Sequence, residues 1–442
     1  MSEVVATQQE LVGKYRPYPE YKDSGVTWLG NIPAQWSLKK LKYLCSIQTG
    51  NKDTVNAEDD GEYPFFVRSQ TVERISTYTA DCEAVLTAGD GVGVGKVYHY
   101  YNGKFDYHQR VYMLSDFSRV TGQFVYYYLS SNFYKVALEG NAKSTVDSLR
   151  LPQFLNFEFS IPPLDVQGII VAFLNNETAR IDRLISQQQR LIELLKEKRL
   201  AVISHAVTKG LNPGAPTKDS GVEWLGQVPV HWRILRLKQA LKSPMKYGAN
   251  EAALDDNPEN PRFIRITDMN SDGTLKNSTF KSLDYSIARP YLLNDLDLLL
   301  ARSGATVGKS FLYKKEYGVA CFAGYLINVR LDGKILLPEY LYFFTQSIPY
   351  WTFITGSQIQ ATIQNVSAEK YGNLSIPTPS VAEQQRIVEW LAAKLDEFSN
   401  LESKAEQAIS LMQERRTALI SAAVTGKIDL RGWTPPVDEV AI

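Results

Sequence analysis

Cysteine and histidine are scarce in this 442-residue chain. It holds three cysteines and four histidines, and neither type clusters along the sequence. Cys45, Cys82 and Cys321 are too few and too far apart for a disulfide framework or a zinc site. We therefore expect reduced thiols, no metal site and a cytoplasmic protein.

Long apolar runs are also missing. No stretch approaches the roughly 18 apolar residues that are needed to span a bilayer. The first ten residues are polar and lack the apolar core of a signal peptide. We interpret residues 1–20 as a polar leader, and we expect neither a membrane span nor a secretion signal.

An excess of charge of one sign is absent as well. The 48 Lys and Arg side chains balance 48 Asp and Glu side chains. A protein that binds polyanions without selectivity would be strongly positive, so the balance argues against that class. It leaves open a selective DNA reader with local basic surfaces.

The common catalytic signatures do not occur either. There is no Gly-x-Ser-x-Gly, no His-Glu-x-x-His and no paired His or Cys spacing. Residues 303–310 (SGATVGKS) resemble a phosphate-binding P-loop, but the motif needs glycine where Ser303 stands. A nucleotide-dependent enzyme is thus an alternative only. A glycine-lysine turn between strands, which faces a phosphate or simply turns, fits better.

What the chain has instead is an internal repeat. Residues 22–30 (KDSGVTWLG) return as residues 218–226 (KDSGVEWLG). A second block recurs when residues 197–208 are compared with residues 414–425. Two long copies indicate a duplicated unit, because the repeats of a solenoid are much shorter.

The segments between the repeated blocks differ. Residues 43–94 of the first copy correspond to a longer segment, residues 239–307, in the second. Two readers of different targets on a common scaffold would show this pattern. Neutral drift in surface loops is the alternative.

Two long segments have the composition of helices. Residues 166–208 contain no proline and a single glycine, and their apolar residues recur at alternating steps of three and four. This spacing is a heptad seam. Residues 381–425 show the same apolar spacing, but more weakly.

The two apolar seams predict a helix pair. Each helix alone would expose a stripe whose burial is worth about 25 cal/mol per Å². Two such helices in one chain most simply bury each other. We predict an antiparallel pair in which Ile181 lies near Leu419 and Val202 lies near Leu395. Independent helices that bind separate partners are the alternative.

These features predict a mixed α/β (α+β) fold with two globular domains separated by two long helices that pair as an antiparallel coiled coil. The predicted boundaries are 1–20 for the leader, 21–162 for the first globular domain, 163–210 for the first helical spacer, 211–379 for the second globular domain, 380–426 for the second helical spacer and 427–442 for the tail.

Local patterns place elements within the first globular domain. Residues 96–101 and 110–114 have strand composition. They flank Asn102 and Gly103, a dipeptide typical of hairpin turns. Residues 123–138 carry a helical pattern of aromatic and apolar side chains.

Several blocks carry a resemblance to a known family. They are residues 15–26 (YRPYPEYKDSGV) with their return at 218–226, Ile376 and Pro377 followed by residues 383–387 (EQQRI), and the helix endings at residues 197–199 and 414–416. In this combination, which covers nearly the whole chain, the protein resembles the DNA specificity subunits of type I restriction-modification enzymes. The first copy departs at residues 167–170 (QGII), where Glu-Gln would be usual.

The resemblance implies that the globular domains are target recognition domains, each of which reads one half of an asymmetric, bipartite DNA site. The helices would set the gap and dock two modification subunits. Those subunits would bring S-adenosylmethionine and adenine methylation, and restriction subunits with ATP and Mg would join further out. We therefore expect no catalytic residue and no cofactor on this chain. A purely structural scaffold, favoured by the long helices and the zero net charge, is a further alternative.

The residues expected to face DNA lie in two places per copy. The glycine-lysine turns supply cations that suit phosphate or guanine, and the loops after the aromatic helices offer hydrogen-bonding side chains. The predicted set is Lys96, His108, Gln109, Arg110, Lys143, Ser144 and Thr145 in the first copy, and Arg302, Lys309, Ser357, Gln358 and Gln360 in the second. Polar loops that are merely solvated are the alternative for each residue.

Overall fold

The repeated motif forms the same hairpin in both copies of the computed structural model. In the first copy Tyr21–Asp23 pairs with Asn31–Pro33, and in the second Thr217–Asp219 pairs with Gln227–Pro229. In each hairpin the aspartate carboxylate accepts a hydrogen bond from the backbone N–H two residues later. This Asx turn is the local reason why the Asp-Ser-Gly sequence reverses the chain.

The structure describes residues 15–137, 149–270, 272–358 and 365–436. The chain divides into two units. Unit 1 consists of residues 1–189 and 406–442, and unit 2 consists of residues 190–405. Each unit therefore combines a globular region with segments of both long helices.

The described part of unit 1 has ten strands, six of which form one sheet. Its strands are β1 (Tyr21–Asp23), β2 (Asn31–Pro33), β3 (Ser37–Lys40), β4 (Ser46–Thr49), β5 (Tyr63–Phe66), β6 (Glu73–Ile75), β7 (Ala80–Ala88), β8 (Tyr98–Tyr107), β9 (Val111–Ser115) and β10 (Glu158–Ile161). The sheet order is β4-β9-β7-β8-β5-β6, and only the β5–β8 pair is parallel. Strands β3 and β10, from opposite ends of the globular region, pair antiparallel and close it.

Aromatic side chains pack the helices of unit 1 against its strands. The helices are α1 (Gly122–Asn132), α2 (Tyr134–Ala137), α3 (Leu151–Leu155) and the first part of α4 (Leu164–Lys209). Tyr128 of α1 is fully buried, and its ring stacks on Phe159 of β10 at 4.2 Å between centroids. Its hydroxyl accepts a hydrogen bond from the Ser160 backbone N–H at 3.0 Å. The buried hydroxyl is thus satisfied, as burial of a tyrosine requires.

The described end of the predicted leader packs into unit 1. Tyr18 is buried, and its ring meets the edge of Trp36 at 5.7 Å between centroids. Tyr15 packs edge-on against Phe173 at 5.6 Å. Tyr15 and Tyr18 therefore attach this stretch to the hydrophobic core of unit 1.

Unit 2, in its described residues, also has ten strands, four of which form its central sheet. Its strands are β11 (Thr217–Asp219), β12 (Gln227–Pro229), β13 (Arg233–Arg236), β14 (Lys246–Tyr247), β15 (Arg262–Ile264), β16 (Leu298–Ala301), β17 (Ser310–Leu312), β18 (Ala320–Phe322), β19 (Leu326–Val329) and β20 (Ser375–Thr378). The sheet order is β14-β19-β16-β17, and β15 pairs with β18 in parallel. Strands β13 and β20 close this unit as β3 and β10 close unit 1.

The remaining helices are α5 (Tyr285–Ala288), α6 (Pro338–Phe344), α7 (Ile348–Gln358), α8 (Ala368–Gly372) and α9 (Val381–Val424). Two residues after the end of α9 stands Gly426, whose φ of 73° lies in the left-handed region. Glycine adopts this conformation without strain, which is why it commonly terminates helices. No helix in the described ranges has an apolar stretch long enough to cross a membrane.

The segments of α4 and α9 in unit 1 run antiparallel. Asp182 of α4 pairs with Arg416 of α9, with 2.9 Å between Oδ1 and Nε. Phe173, earlier in α4, packs against Trp433, beyond the end of α9, at 5.4 Å between ring centroids. The partner number rises as the α4 number falls, and this is the signature of antiparallel helices.

The segments in unit 2 show the same direction. Arg199 of α4 donates from Nη1 to the hydroxyl of Ser399 at 3.2 Å. Gly210, just after α4, lies beside Glu383 near the start of α9, because a Cβ on Gly210 would be 3.6 Å from Oε1 of Glu383. The helix pair is therefore antiparallel in this unit as well.

The antiparallel direction is confirmed, and the members of each predicted pair pack into the same hydrophobic core. Ile181 and Leu419 belong to one buried cluster in unit 1. Leu395 belongs to the buried core of unit 2, and the half-buried Val202 packs against that core. The predicted fold class, a mixed α/β fold with two globular regions and an antiparallel pair of long helices, is confirmed.

A buried glutamine anchors the start of each long helix. Gln167 donates from Nε2 to the carbonyls of Arg119 and Pro162, and its Oε1 accepts from the N–H of Thr121. Gln384 makes the same three kinds of bond in unit 2. Leaving one such buried group unpaired would cost about 1–3 kcal/mol. The unusual sequence around Gln167 thus preserves the side chain that fixes the helix start.

The predicted hairpin turn at Asn102 and Gly103 is wrong. Both residues lie inside the ten-residue strand β8, opposite Glu83 and Cys82 of β7. A turn there would break the β7–β8 ladder and expose Phe105, which is fully buried. Glycine satisfies the positive φ of 135° at position 103 within the strand. The chain reverses later, between β8 and β9.

Candidate nucleic-acid interface

The two glycine-lysine segments form hairpin loops of the same backbone shape. One connects β7 to β8 and the other connects β16 to β17. Each begins with a 3-10 turn, Gly91–Gly93 or Gly304–Thr306, whose first glycine has φ of 75°. The loops end in Lys96 and Lys309, whose side chains are exposed. The structure thus presents a lysine at the same point of both copies.

Neither loop has the context of a P-loop. A P-loop leads from a strand into a helix whose N-terminus faces the phosphates. Here both loops join antiparallel strands, and β17 (Ser310–Leu312) follows the second directly. The geometry therefore removes the main support for a nucleotide-dependent enzyme.

Two arginines share one carboxylate at the base of the first loop. Asp90 immediately precedes the loop, and its Oδ1 accepts from Nη1 of Arg68 at 2.8 Å. Its Oδ2 accepts from Nη1 of Arg110 at 3.0 Å. The Arg110 side chain is 56% exposed, whereas that of Asp90 is 23% exposed. The carboxylate orients both guanidinium groups and leaves most of their N–H donors available to a ligand.

The turn between β8 and β9 places the predicted residues His108, Gln109 and Arg110 beside this loop. Gln109 is exposed and donates from Nε2 to Oδ2 of Asp53 at 2.7 Å. Because Ala88 of β7 pairs with Val111 of β9, the turn and the first loop lie at the same end of the sheet. The structure therefore brings Lys96, Gln109 and Arg110 to one surface.

His108 does not fit the prediction that it faces DNA. The residue is only 2% exposed, and its Nδ1 accepts a hydrogen bond from the backbone N–H of Arg110 at 2.9 Å. Burial lowers the pKa of His108 and favours the neutral imidazole that this bond needs. Its side chain is packed inside the protein and stabilises the turn through this bond.

Unit 2 supplies its cation from a different position. Arg302 immediately follows β16 and is half-buried, and its guanidinium lies over the ring of Tyr247 at 4.7 Å. The equivalent position in unit 1 is Gly89. It has little room for a side chain, because a Cβ there would be 3.0 Å from the ring of Tyr112. The two hairpins therefore share a backbone but not a set of side chains.

The remaining predicted residues lie after the aromatic helices. Lys143, Ser144, Thr145 and Gln360 fall outside the described residues. Ser357 and Gln358 are in the last turn of α7 and not in the predicted loop. The Ser357 hydroxyl donates to the carbonyl of Phe353 at 2.8 Å, a bond within the helix.

Three residues at the two hairpin sites were not predicted. Asp90 precedes the glycine-lysine segment directly, so its position was a usable signal. Arg68 and Tyr247 lie in the divergent segments, where no sequence pattern separates them from neighbouring polar or aromatic residues. Only the fold brings Arg68 to Asp90 and Tyr247 to Arg302.

Comparison with known proteins gives one consistent result. A family model described as the type I restriction modification DNA specificity domain matches residues 33–194 and 229–411, which together form most of the chain. The two matches begin at Pro33 and Pro229, equivalent positions of the repeat.

Two specificity subunits of known enzymes are similar to this chain over most of its length. The chain is 23% identical over 432 residues to the type I restriction enzyme EcoDI specificity subunit of Escherichia coli, with 90% of each sequence covered. It is also 23% identical over 313 residues to the EcoBI specificity subunit of Escherichia coli, with 69% of this chain and 65% of the relative covered.

Two solved structures share the fold. A chain solved in a study of complex assembly and conformational transition of the type I R-M system superposes with a TM-score of 0.67 and 14% identity, and the match covers 89% of this chain and 98% of that chain. The HsdS subunit from Thermoanaerobacter tengcongensis gives a TM-score of 0.51 and 14% identity, and the match covers 90% and 98%.

Proposed function

The chain belongs to the type I restriction modification DNA specificity family, and we propose that its two globular regions read the two halves of one asymmetric, bipartite DNA site. Its function is sequence-specific DNA recognition within a restriction-modification complex. The main support for recognition of a two-part site comes from the two hairpins. They have the same backbone shape, but one is flanked by Arg68 and Arg110 and the other by Arg302. Equal scaffolds with unequal cations suit two different half-sites.

The proposal extends to the partners. Two modification subunits dock on α4 and α9 and supply S-adenosylmethionine and adenine methylation, while restriction subunits supply ATP and Mg chemistry in the cytoplasm. The support is the exposed apolar surface that remains on the paired helices. It consists of Leu184, Leu191, Leu194, Leu200, Trp390, Leu401 and Leu411, each at least 39% exposed. These side chains stay exposed although the two helices already bury their seams against each other, so a protein partner could still cover them.

Methylation mapping tests the proposal directly. The chain is expressed with its modification subunits in a host without adenine methylation, and modified adenines are located by sequencing. We expect a split, asymmetric site with a fixed gap, and no methylation when the chain is expressed alone. A symmetric or unsplit site would contradict the bipartite reading. A complex that binds every duplex equally would support the scaffold alternative instead.

Arg110 gives a residue-level prediction. Arg110→Ala is expected to weaken binding of the mapped site by roughly 1–3 kcal/mol and to relax one position of one half-site, since a bidentate guanidinium contact to guanine is lost. Arg110→Lys is the matched control, because it keeps the charge and loses the bidentate geometry. Competition binding with singly substituted duplexes measures both effects. If Arg110→Lys retained full sequence preference, Arg110 would contact phosphate and not a base.

A further inference from the structure

A cleft in unit 1 lies between the first hairpin and a long helix. Its volume is about 260 Å³. Lys96 of the hairpin lines one side, Tyr126 and Ser130 of α1 line the second, and Arg416 and Thr417 of α9 line the third. No acidic side chain is among the described residues that line it. The cleft is therefore a cationic recess beside the candidate interface.

Arg416 is oriented within this recess by Asp182. Its Nε donates to Oδ1 at 2.9 Å and its Nη2 donates to Oδ2 at 3.4 Å. These bonds use one edge of the guanidinium and leave the Nη1 donors free, since the group carries five N–H donors. Lys96 has no ion pair or side-chain hydrogen bond to any other described residue. Two cations with unused donors thus share one cleft.

We infer that this cleft binds a single phosphate of the DNA backbone between Lys96 and Arg416. The inference rests on the proposed function. Asp182 balances one of the two cations, so one positive charge remains in excess, which matches one phosphodiester. The long helix is then part of the DNA-binding surface as well as a spacer.

Arg416 would then contact DNA at the half-site of the first globular region, although it follows the second globular region in sequence. In sequence, Arg416 follows the second globular region, yet it lies in unit 1 with the first. Its counterpart in the repeat, Arg199, follows the first globular region and lies in unit 2. Arg416 therefore serves the half-site that is read by residues 21–162, although 21–162 and 416 are far apart in the chain.

Arg199 is a matched control because its surroundings differ. The counterpart of Tyr126 in unit 2 is Tyr342, and the backbone of Gly273 packs so closely against the Tyr342 hydroxyl that a Cβ would not fit. Asp272 adds a negative charge there, and hydrogen bonds from Thr274 and then the Arg199 charge lower its pKa. The turn around Gly273 thus packs against Tyr342, whereas Tyr126 lines an open cleft.

A neutral-linkage scan tests the inference with the complex of this chain and its modification subunits. The probe is a duplex with the mapped site in which one phosphate at a time is replaced by an uncharged methylphosphonate. We expect one linkage in the first half-site whose replacement weakens wild-type binding but not binding by Arg416→Ala or Lys96→Ala. The half-site is identified by the position that Arg110→Ala relaxes.

The salt dependence of binding measures how much the proposed phosphate contact contributes to affinity. Loss of one phosphate contact reduces the salt slope by about one. Between 50 and 200 mM salt the wild type should therefore lose roughly 3.5-fold more affinity than Arg416→Ala, whereas Arg199→Ala should follow the wild type. The exposed Asp182–Arg416 pair contributes little to folding, so thermal unfolding of Arg416→Ala should match that of the wild type.

The outcomes separate the inference from the proposed function. If Arg416→Ala and Lys96→Ala remained sensitive to every linkage, or if Arg416 mapped to the other half-site, the inference would be wrong while sequence-specific binding stood. If the wild-type complex preferred no sequence at all, the proposed function itself would fail. Equal losses in Arg199→Ala and Arg416→Ala would also contradict a role for the open cleft.

Discussion

Replacing Asp297 with alanine is expected to destabilise unit 2 by about 1–3 kcal/mol, because loss of the buried carboxylate leaves its hydrogen-bond donors without an acceptor. Asp297 is 1% exposed and accepts from Nε and Nη2 of Arg330 at 2.8 and 2.6 Å. Its carboxylate also accepts from Nδ2 of Asn328 at 3.0 Å and from the backbone N–H of Asn294 at 2.9 Å. Alanine would leave all four donors without this acceptor.

Urea unfolding of the full chain measures this loss. Asp182→Ala is the matched control, because its ion pair with Arg416 is largely exposed and should contribute less than about 1 kcal/mol. Tryptophan fluorescence should show an early transition for Asp297→Ala and a normal one for Asp182→Ala. If the two variants unfolded at the same urea concentration, the hydrogen bonds to the buried Asp297 carboxylate would not stabilise unit 2 as argued.

The helix pair could be predicted because its signal is local and repeated many times. Each turn of residues 166–208 repeats the apolar spacing, so single exceptions such as Gln188 do not hide the seam. The antiparallel direction followed from the duplication itself. Ile181 and Leu419 could be assigned to the same core from the sequence alone, because the chain offers each apolar stripe one equivalent partner.

The candidate interface was predicted only in part, because its side chains meet through long-range pairing. Glycine patterns located Lys96 and Lys309, which follow their loops directly in sequence. The Arg68–Asp90–Arg110 group instead depends on the order of strands in the six-stranded sheet. The same sheet buries His108 and keeps Gly103 in a strand. Strand order is not encoded in local spacing, so these features could not be read from it.

Exchange of residues 21–162 for those of another family member is expected to replace one half-site completely while the other half-site and the gap stay unchanged. The domain junction explains why such an exchange should fold. Strand β10 ends at Ile161 and α4 begins at Leu164, so the exchange point falls between two elements. Gln167 holds the domain through the backbone carbonyls of Arg119 and Pro162 and the N–H of Thr121, which any sequence supplies.

The exchanged protein is expected to lose most of its affinity for the original half-site. Each mismatched base pair costs roughly 1–3 kcal/mol, nearly additively, so several lost base contacts should abolish methylation of the original site. The reciprocal exchange of residues 211–379 is the matched control, since Gln384 holds that domain through backbone groups in the same way. Methylation mapping of both chimaeras should show opposite half-sites changed. If either exchange altered both halves, the two domains would read DNA jointly, and the main-chain anchors at Gln167 and Gln384 would not make them independent.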